Sequence, residues 1–383
     1  MPDPEAGKGL ASRLQVRSWN AEEFASSREL WQRLLAASDA DPLFMSWDWQ
    51  WRWWGHYAQM LGATLRLVAV YTDRGELVGI APFFSRRVVV RGLFRTCRLE
   101  LIGIGWRDPR PAFSDYLDLI GARDFREPVL ACIAKWLSDQ DFWQELVFCC
   151  TKRDGLASQL VRTHLGALLY VREVDELSAW VARLPKRFNE YVASLGSDTR
   201  RKLFNHRHKL AEPQIQQAAE ADIPEYLDLL GRYTAERWGN EAAAKHSRAF
   251  HLGFAASMAR AGRLRLTRLV TREGPASVMY NVRHGNTVYY LQSGFDPERA
   301  HGLSPGYLHF GYAIEAACEE GVEFFDFLAG AGRHREYKQD LLTEHVPVVT
   351  YHAARSDFLR TLYSVYEAAK AAGERCRRFL RAL

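Results

Sequence analysis

The sequence predicts an α/β protein assembled from two copies of one structural unit. The chain has 383 residues, which suggests two domains at roughly 150 residues each. Two segments resemble each other at an offset of 199 positions, the first beginning at Leu65 and the second at Leu264. Each is typical of a strand, a polar turn closed by glycine and a second strand. Farther along, each half offers an amphipathic helix followed by an apolar strand, which indicates a duplicated unit.

The apolar pattern places the elements of each half. In the first half it predicts a strand at 77–84, a helix at 128–138 and a strand at 146–150, and in the second a strand at 276–284, a helix at 305–320 and a strand at 322–328. The periodic pattern of apolar residues is interrupted between Pro185 and Ser197, so we expect domains at 1–185 and 186–383. A helix follows the boundary, with Ser197 or Asp198 as its N-cap.

Five of the twelve tryptophans lie within 47–54. Their alternation suggests a strand, but Ser46 as an N-cap, Asp48 in the first turn and Gly62 as a stop favour a helix. One stripe of that helix holds Phe44, Trp47, Trp51 and Trp54, and the other face holds Trp49 and Trp53. Two interpretations stay open: a helix buried between the units, or a second face that lines an acceptor pocket for a sugar or acyl chain.

Composition narrows the class of protein. A hydrophobic fraction of 48% supports a folded core and excludes a disordered scaffold. With 51 basic and 46 acidic residues the net charge is only +5, too small for a dedicated nucleic-acid binder. The six cysteines form no C-x-x-C pair, which is typical of reduced thiols in the cytoplasm. We see no signal peptide in 1–12 and no apolar run of about 18 residues, so we expect a cytoplasmic protein without a membrane span.

The end of the chain, 357–383, predicts a helix with a basic tail. The basic residues of the tail are Arg375, Arg377, Arg378 and Arg381. Either this helix has an ordinary solvated face, or it is an interfacial or partner helix with peripheral membrane contact.

A candidate anion site follows the predicted strand 287–294. Ser304 is expected as the N-cap of the next helix and Pro305 as its first residue. Free N–H groups and the positive end of a helix dipole bind phosphate. Arg299, Gly302 and Ser304 follow R-x-x-G-x-S, one substitution from the phosphate-loop pattern R/Q-x-x-G-x-G/A.

Residues 302–306, which overlap this loop, also match G-x-S-x-G, the sequence pattern of the nucleophile elbow of α/β-hydrolases. Asp326 and then His334 or His345 follow in the expected chain order. The mechanical fit is poor, because Ser304 lies ten residues beyond Gly294 and Pro305 lacks the N–H that an oxyanion hole needs.

Asp326 is a carboxylate in an otherwise apolar strand, where an unpaired charge is costly. It needs a cation, hydrogen-bond donors or a raised pKa, each of which suits a functional site; a structural carboxylate that holds the glycine loop is the alternative. Lys338 is the expected partner, and Tyr337 is a candidate proton donor to a leaving group. The twelve histidines show no metal-ligand spacing, so we expect no metal.

At these residues the second half resembles the acetyltransferase domain of BioF2-like and CelD-type cellulose-biosynthesis proteins, GNAT-superfamily relatives of the Fem-type peptidyltransferases. The residues that carry the resemblance are 200–210, 233–238, 289–290, 304–306, 325–327 and 337–338, joined in the first half by 42–57, 79–83 and 114–118. The resemblance implies two tandem GNAT-like units with mixed central sheets flanked by helices.

It further implies an acyltransferase that moves an acetyl or longer acyl group from acyl-CoA to an amine or hydroxyl, in cell-envelope polysaccharide or lipid biosynthesis. The expected donor-binding residues are Arg299, Gly302, Ser304, Gly306 and Tyr290, with Asp326, Tyr337 and Lys338 in catalysis. The expected contacts to a saccharide, amino acid or lipid-precursor acceptor are Arg200, Arg201, Trp238, Trp49 and Trp53. A strand edge near 290–293 would supply an N–H to the thioester oxyanion, and the first half, without glycine in 122–127, would support or bind the acceptor.

Two alternatives stay open. A Fem-like enzyme would use aminoacyl-tRNA, which the five basic residues within 200–209 favour and the modest net charge opposes. A catalytically inactive GNAT-like module of an envelope-biosynthesis assembly is the other.

Overall fold

The computed structural model describes residues 14–90, 92–166, 170–210, 212–238, 241–296, 298–300, 303–329, 336–341, 344–366 and 368. The strands are β1 (Gln15–Trp19), β2 (Thr64–Tyr71), β3 (Leu77–Val90), β4 (Phe94–Leu101), β5 (Ile120–Gly121), β6 (Glu145–Lys152), β7 (Tyr170–Arg183), β8 (Gln214–Gln217), β9 (Leu264–Thr271), β10 (Gly274–His284), β11 (Thr287–Phe295), β12 (Phe324–Asp326) and β13 (Glu344–Ala354). The α-helices are α1 (Ala21–Ser26), α2 (Arg28–Ala36), α3 (Trp47–Leu61), α4 (Arg126–Asp139), α5 (Leu156–Leu160), α6 (Phe188–Ser194), α7 (Ser197–Leu203), α8 (Ile223–Trp238), α9 (Glu241–Arg260) and α10 (Pro305–Glu319).

The strands form one mixed sheet, in the order β1-β2-β3-β4-β6-β13-β7-β12-β11-β10-β9-β8, with the short β5 beside β3. Two pairs in this sheet are parallel, β4 with β6 and β11 with β12, and the other described pairs are antiparallel. The predicted α/β class, with a mixed sheet flanked by helices, is confirmed.

The strand order is symmetric about its centre. β1, β2, β3, β4 and β6 of the first half correspond to β8, β9, β10, β11 and β12 of the second, and Gln15 and Gln214, which begin β1 and β8, are 199 residues apart, the offset of the sequence repeat. The last strand of each half crosses over: β13 pairs with β6, and β7 pairs with β12. β7 and β13 also pair with each other, so the two expected sheets are joined into one.

Residues 184–187, between β7 and α6, contain the expected domain boundary, which stays a prediction. The repeat itself is confirmed as two α/β units in tandem, and the largest apolar core is continuous between them.

The tryptophan segment is the helix α3, and its predicted ends are right. Ser46 Oγ accepts a hydrogen bond from the N–H of Trp49 at 3.2 Å, and Gly62 ends the helix in the left-handed conformation with φ of 58°. Of the two interpretations left open, the helix buried between the units agrees with the structure. Trp49 and Trp53 are fully buried, whereas Trp47, Trp51 and Trp54 are only partly buried. The indoles expected to line an acceptor pocket therefore belong to the core.

Packing between the halves explains why Trp49 and Trp53 are buried. The Trp49 ring makes edge contacts with Phe250 and Phe254 of α9, with ring centroids 5.0 and 4.7 Å apart. Its Nε1 donates to Ser114 Oγ at 2.8 Å, and Trp53 Nε1 donates to the Ala112 carbonyl at 3.1 Å. Both indole N–H groups are thus satisfied inside the protein.

Near the end of the chain, β12 is shorter than the strand predicted at 322–328, and α10 agrees with the helix predicted at 305–320. A further helix, which we call the terminal helix, is described over residues 357–366. The predicted basic tail, with Arg375, Arg377, Arg378 and Arg381, lies outside the described residues. Within the described part of the chain, no helix is both long and apolar enough to cross a bilayer.

Candidate active site

The parallel strands β11 and β12 part from each other after a short contact. Their pairing covers three residue pairs and ends at Tyr289 opposite Asp326. β12 stops there, while β11 continues to Phe295. Among the described residues, no strand pairs with 290–295 on the side that β12 has left. Asp326 therefore lies at the vertex where the two parallel strands separate, and beyond it the edge of β11 has no strand partner among the described residues.

Asp326 is almost completely buried at this vertex, with 6% of its surface exposed. Its Oδ1 accepts two hydrogen bonds, from the N–H of Leu328 at 2.8 Å and from Tyr116 Oη at 3.0 Å. Both donors belong to residues in the left-handed region, Leu328 with φ of 57° and Tyr116 with φ of 55°. Such a backbone costs on the order of 1 kcal/mol or more per non-glycine residue. The fold holds both strained residues where they serve the same carboxylate oxygen.

Burial raises the pKa of Asp326 to about 7. This pKa is the net result of several effects: the negative charge of Asp41 adds to the effect of burial, whereas the hydrogen bonds from Leu328 and Tyr116 and the positive charge of Lys152 oppose it. A carboxylate with such a pKa exchanges a proton near neutral pH, which is the property of a general base.

A second carboxylate-phenol pair adjoins the first. Tyr289 Oη donates to Asp41 Oδ2 at 3.2 Å, and Asp41 Oδ1 accepts from the N–H groups of Leu43 and Phe44 at 3.0 and 2.9 Å. Burial raises the pKa of Tyr289, and that of Tyr116, well above the usual value, so both phenols stay protonated and donate. We call Asp41, Tyr116, Tyr289 and Asp326 the Asp326 cluster; each half of the chain contributes two of its members.

Sequence reasoning missed Asp41 and Tyr116 as partners of Asp326. Tyr116 lies within the segment 114–118, and Asp41 immediately precedes 42–57; both segments carry the family resemblance in the first half. The resemblance of these two segments was the available signal. However, no sequence spacing connects Asp41 or Tyr116 with Asp326 in the other half.

Lys338 is buried, but its position differs from the one expected. Its Nζ donates to the carbonyl oxygens of Phe327, Leu328 and Ala329 at 2.6, 2.7 and 3.4 Å. Lys338 therefore stabilises the backbone that follows β12. The hydrogen bonds to Asp326 come from Tyr116 and Leu328 instead. The side chain of Tyr337 lies outside the described residues.

The expected donor loop is held by Arg299. The Arg299 guanidinium forms an ion pair with Asp296 at 3.0 Å, and its Nη1 donates to the carbonyl of Glu273 at 2.6 Å. These contacts attach the loop to the turn between β9 and β10. Ser304 is the N-cap of α10 as predicted, without a side-chain cap bond, and Gly306 lies in its first turn. Gly302 is outside the described residues.

Tyr290, the first residue of β11 beyond the vertex, stays close to this region. Its ring contacts Phe310 of α10 at a centroid distance of 4.8 Å, and its hydroxyl is 2.7 Å from Ser293 Oγ. Tyr290 thus connects the unpaired edge of β11 with the helix that follows the donor loop.

The expected acceptor residues do not meet at the vertex. Arg200 Nη2 donates to the Leu195 carbonyl at 3.0 Å, and Arg201 is paired with Asp198. Arg207, in the same basic run, is paired with Glu315. Trp49 and Trp53 are core residues, and the side chain of Trp238 lies outside the described part of the chain.

The corresponding vertex of the first half is filled. There β4 and β6 part after Glu100 opposite Val147. Glu100 is buried and accepts hydrogen bonds from Arg86 Nε at 2.7 Å and from the N–H of Trp106 at 2.6 Å. A buried ion pair and the loop that carries Trp106 thus occupy this position in the first half.

Residues 197–339, which include Asp326 and Lys338, match the sequence family described as an acetyltransferase (GNAT) domain. This segment is a GNAT-type acyltransferase domain. The prediction that the protein is an acyltransferase is confirmed, and the Asp326 cluster joins this domain to the first half. Among the described residues, no group of three or more histidine, cysteine or acidic side chains is arranged to hold a metal ion.

Solved structures share the fold over both halves. The crystal structure of FemX is similar at a TM-score of 0.57 and 12% identity, covering 92% of this chain and 99% of that one. A conserved Bacteroides thetaiotaomicron protein of unknown function gives a TM-score of 0.54 at 10% identity (89% and 99% covered), and L-PGS from Bacillus licheniformis gives 0.50 at 11% (90% and 96% covered). At these identities the likeness is one of fold. No curated protein sequence matches the chain.

Proposed function

We propose that the protein transfers an acyl group from acyl-CoA to an amine or hydroxyl acceptor at the vertex between β11 and β12. One observation carries this proposal: inside an acyltransferase domain, a buried carboxylate with a pKa of about 7 lies where an unpaired strand edge begins. The donor follows from the GNAT resemblance, and the strand edge and the start of α10 support it.

In the proposed reaction Asp326 removes a proton from the acceptor. The acceptor nitrogen or oxygen then forms a bond with the thioester carbon, and the carbon–sulfur bond breaks. Backbone N–H groups of β11 in 290–293 stabilise the negative charge on the carbonyl oxygen. The departing CoA thiolate takes up a proton, for which Tyr337 stays the proposed donor. Tyr116 holds Asp326 in place from the other half.

The donor phosphates are proposed to bind at the N-terminus of α10, where Ser304 is the N-cap and Gly306 lies in the first turn. Gly302 stays a proposed contact from the sequence pattern. Arg299 acts mainly by positioning, since its guanidinium already binds Asp296 and the Glu273 carbonyl. Lys338 maintains the chain after Asp326.

The narrower assignments belong to this proposal. We place the protein among the BioF2-like and CelD-type transferases of cell-envelope or cellulose biosynthesis, with a saccharide, amino acid or lipid precursor as acceptor and with units 1–185 and 186–383. A cytoplasmic location fits the five described cysteines, which are all free thiols.

Calorimetry with acetyl-CoA and longer acyl-CoA thioesters tests donor binding, and thiol release with candidate amines tests turnover. Asp326→Asn should bind the donor as tightly as the wild type and lose turnover by about 10²-fold or more.

The donor loop is tested separately: Arg299→Ala should weaken donor binding. Arg272→Ala is its matched control, because Arg272 is exposed on the neighbouring turn and paired with Glu212. Absence of acyl-CoA binding by the wild type would exclude the proposal.

A second candidate donor, aminoacyl-tRNA, is suggested by the Fem resemblance and by the fold likeness to FemX. The basic run 200–209 gives it little support, because Arg201 and Lys202 are paired with Asp198 and Arg207 with Glu315. A gel shift with tRNA at two salt concentrations decides between the donors, since phosphate binding weakens steeply with salt. Binding of neither donor would favour an inactive module.

A further inference from the structure

Six large apolar side chains are exposed together where the β3–β4 hairpin meets the terminal helix. The exposed fractions are 60% for Val89, 77% for Leu93, 36% for Phe94, 53% for Phe358, 63% for Val365 and 36% for Tyr366. The two elements touch, since the rings of Phe94 and Phe358 lie edge to face with centroids 4.9 Å apart. We call these six residues the apolar tip. Of the nine exposed large apolar side chains in the described chain, only Val16, Leu30 and Ile215 lie elsewhere.

The terminal helix is apolar over a broad stripe, and one side of that stripe is buried in the protein. Leu359 and Tyr363 are buried in a small core with Val90 and Ala354. Leu362 is partly buried and packs against the same core. Beside it, the helix exposes Phe358, Val365 and Tyr366. Because the buried side attaches the helix to the sheet, the exposed side chains lie at the surface next to the β3–β4 hairpin.

Cations that have no ion-pair partner in the described chain lie on the same hairpin and helix. Arg87 and Arg95 of the hairpin and Arg360 of the helix are exposed, and within the described chain none of them forms an ion pair with a carboxylate. Elsewhere, exposed arginines are often paired, as Arg272 is with Glu212. Farther along the sequence, the tail adds Arg375, Arg377, Arg378 and Arg381.

We propose that the apolar tip is a membrane-contact surface that enters the headgroup layer of an anionic bilayer, with the flanking arginines against lipid phosphates. Exposed apolar side chains bordered by unpaired cations are complementary to such a surface. A symmetric contact with a second copy of the chain would bring the same three arginines face to face, and like charges oppose that contact. This inference goes beyond the acyl transfer proposed above and is independent of it.

Sedimentation of the full chain with lipid vesicles tests this inference. The protein should bind vesicles that contain phosphatidylglycerol at least ten times more tightly than vesicles of phosphatidylcholine alone, and less tightly as salt rises. Leu93→Asp with Phe358→Asp should reduce binding at least tenfold without lowering the melting temperature, because both side chains are exposed. Arg87→Glu with Arg360→Glu should remove the preference for phosphatidylglycerol.

Two variants at exposed residues outside the apolar tip serve as matched controls. Leu30→Asp removes an apolar side chain that is 44% exposed on α2, and Arg74→Glu reverses an exposed charge in the β2–β3 turn; both should bind as the wild type does. Full-length protein with the four tail arginines changed to glutamine should retain binding at low salt. Equal binding by the tip variants and the wild type would overturn the inference. Loss of binding on changing the tail alone, or a dimer that dissociates in Leu93→Asp, would overturn it too.

Discussion

Tyr116 Oη donates a hydrogen bond to Asp326 Oδ1 at 3.0 Å, although the two residues are 210 positions apart. One belongs to the first half of the chain and the other to the acyltransferase domain. Because the carboxylate is buried, this bond and the Leu328 N–H fix both its position and its proton affinity. The first half thus contributes directly to the environment of the proposed base.

We expect Tyr116→Phe to move the acidic limb of the pH–rate profile upward. The Tyr116 hydrogen bond lowers the pKa of Asp326, so its loss should raise that pKa by roughly one unit, the equivalent of one hydrogen bond to a charged group. Activity should fall at pH 7 and recover at higher pH, as measured by kcat/KM from pH 5.5 to 9.

The control for this variant is Tyr280→Phe. Tyr280 is also fully buried, but its hydroxyl has no hydrogen-bond partner in the described chain. This change should leave the acidic limb in place. An unshifted limb in Tyr116→Phe would show that Asp326 is not the titrating base.

Asp41→Asn should shift the same limb in the opposite direction. The negative charge of Asp41 raises the pKa of Asp326, so its removal makes Asp326 easier to ionise. Asparagine keeps an oxygen for the N–H groups of Leu43 and Phe44, so the local turn should persist. The same kcat/KM titration checks this, and a limb that moves upward would contradict the assigned electrostatics.

Asp326→Asn should stabilise the folded protein at alkaline pH. The folded pKa, about 7, is above the usual value near 4. The stability that the protonated carboxyl contributes is therefore fully present below about pH 4 and is lost as pH rises through 7. Asparagine cannot ionise, so the variant should gain about 2–4 kcal/mol in unfolding free energy over the wild type at pH 8 and little at pH 4. Urea denaturation at both pH values measures this, and an equal difference at both would contradict the raised pKa.

Local signals allowed the sequence to predict several parts of the fold. Ser46 and Gly62 define α3 because caps act within one turn, and Ser304 with Pro305 does the same for α10. The buried face of α3 could not be predicted, since aromatic side chains surround the helix and only packing against α9 decides which of them become core.

The candidate site, too, could be predicted from the sequence only in part. Asp326 stood out as a charge in an apolar strand, whereas its partners in the first half depend on how two distant loops meet. Local sequence also does not reveal whether the Lys338 ammonium binds the Asp326 carboxylate or the backbone carbonyl groups of the chain between Asp326 and Lys338.

Lys338→Met should destabilise the protein, because Lys338 Nζ binds three carbonyl oxygens that become unpaired when the ammonium is removed. Hydrogen bonds to a buried charge support a loss of roughly 3 kcal/mol in unfolding free energy. Lys135→Met is the matched control: Lys135 is exposed and only pairs with Asp139 one turn away, so its loss should cost under about 0.5 kcal/mol. Denaturant unfolding, together with turnover at a temperature where both variants are folded, separates the roles. A Lys338→Met protein as stable as the wild type but without turnover would place this ammonium in the proton transfer itself.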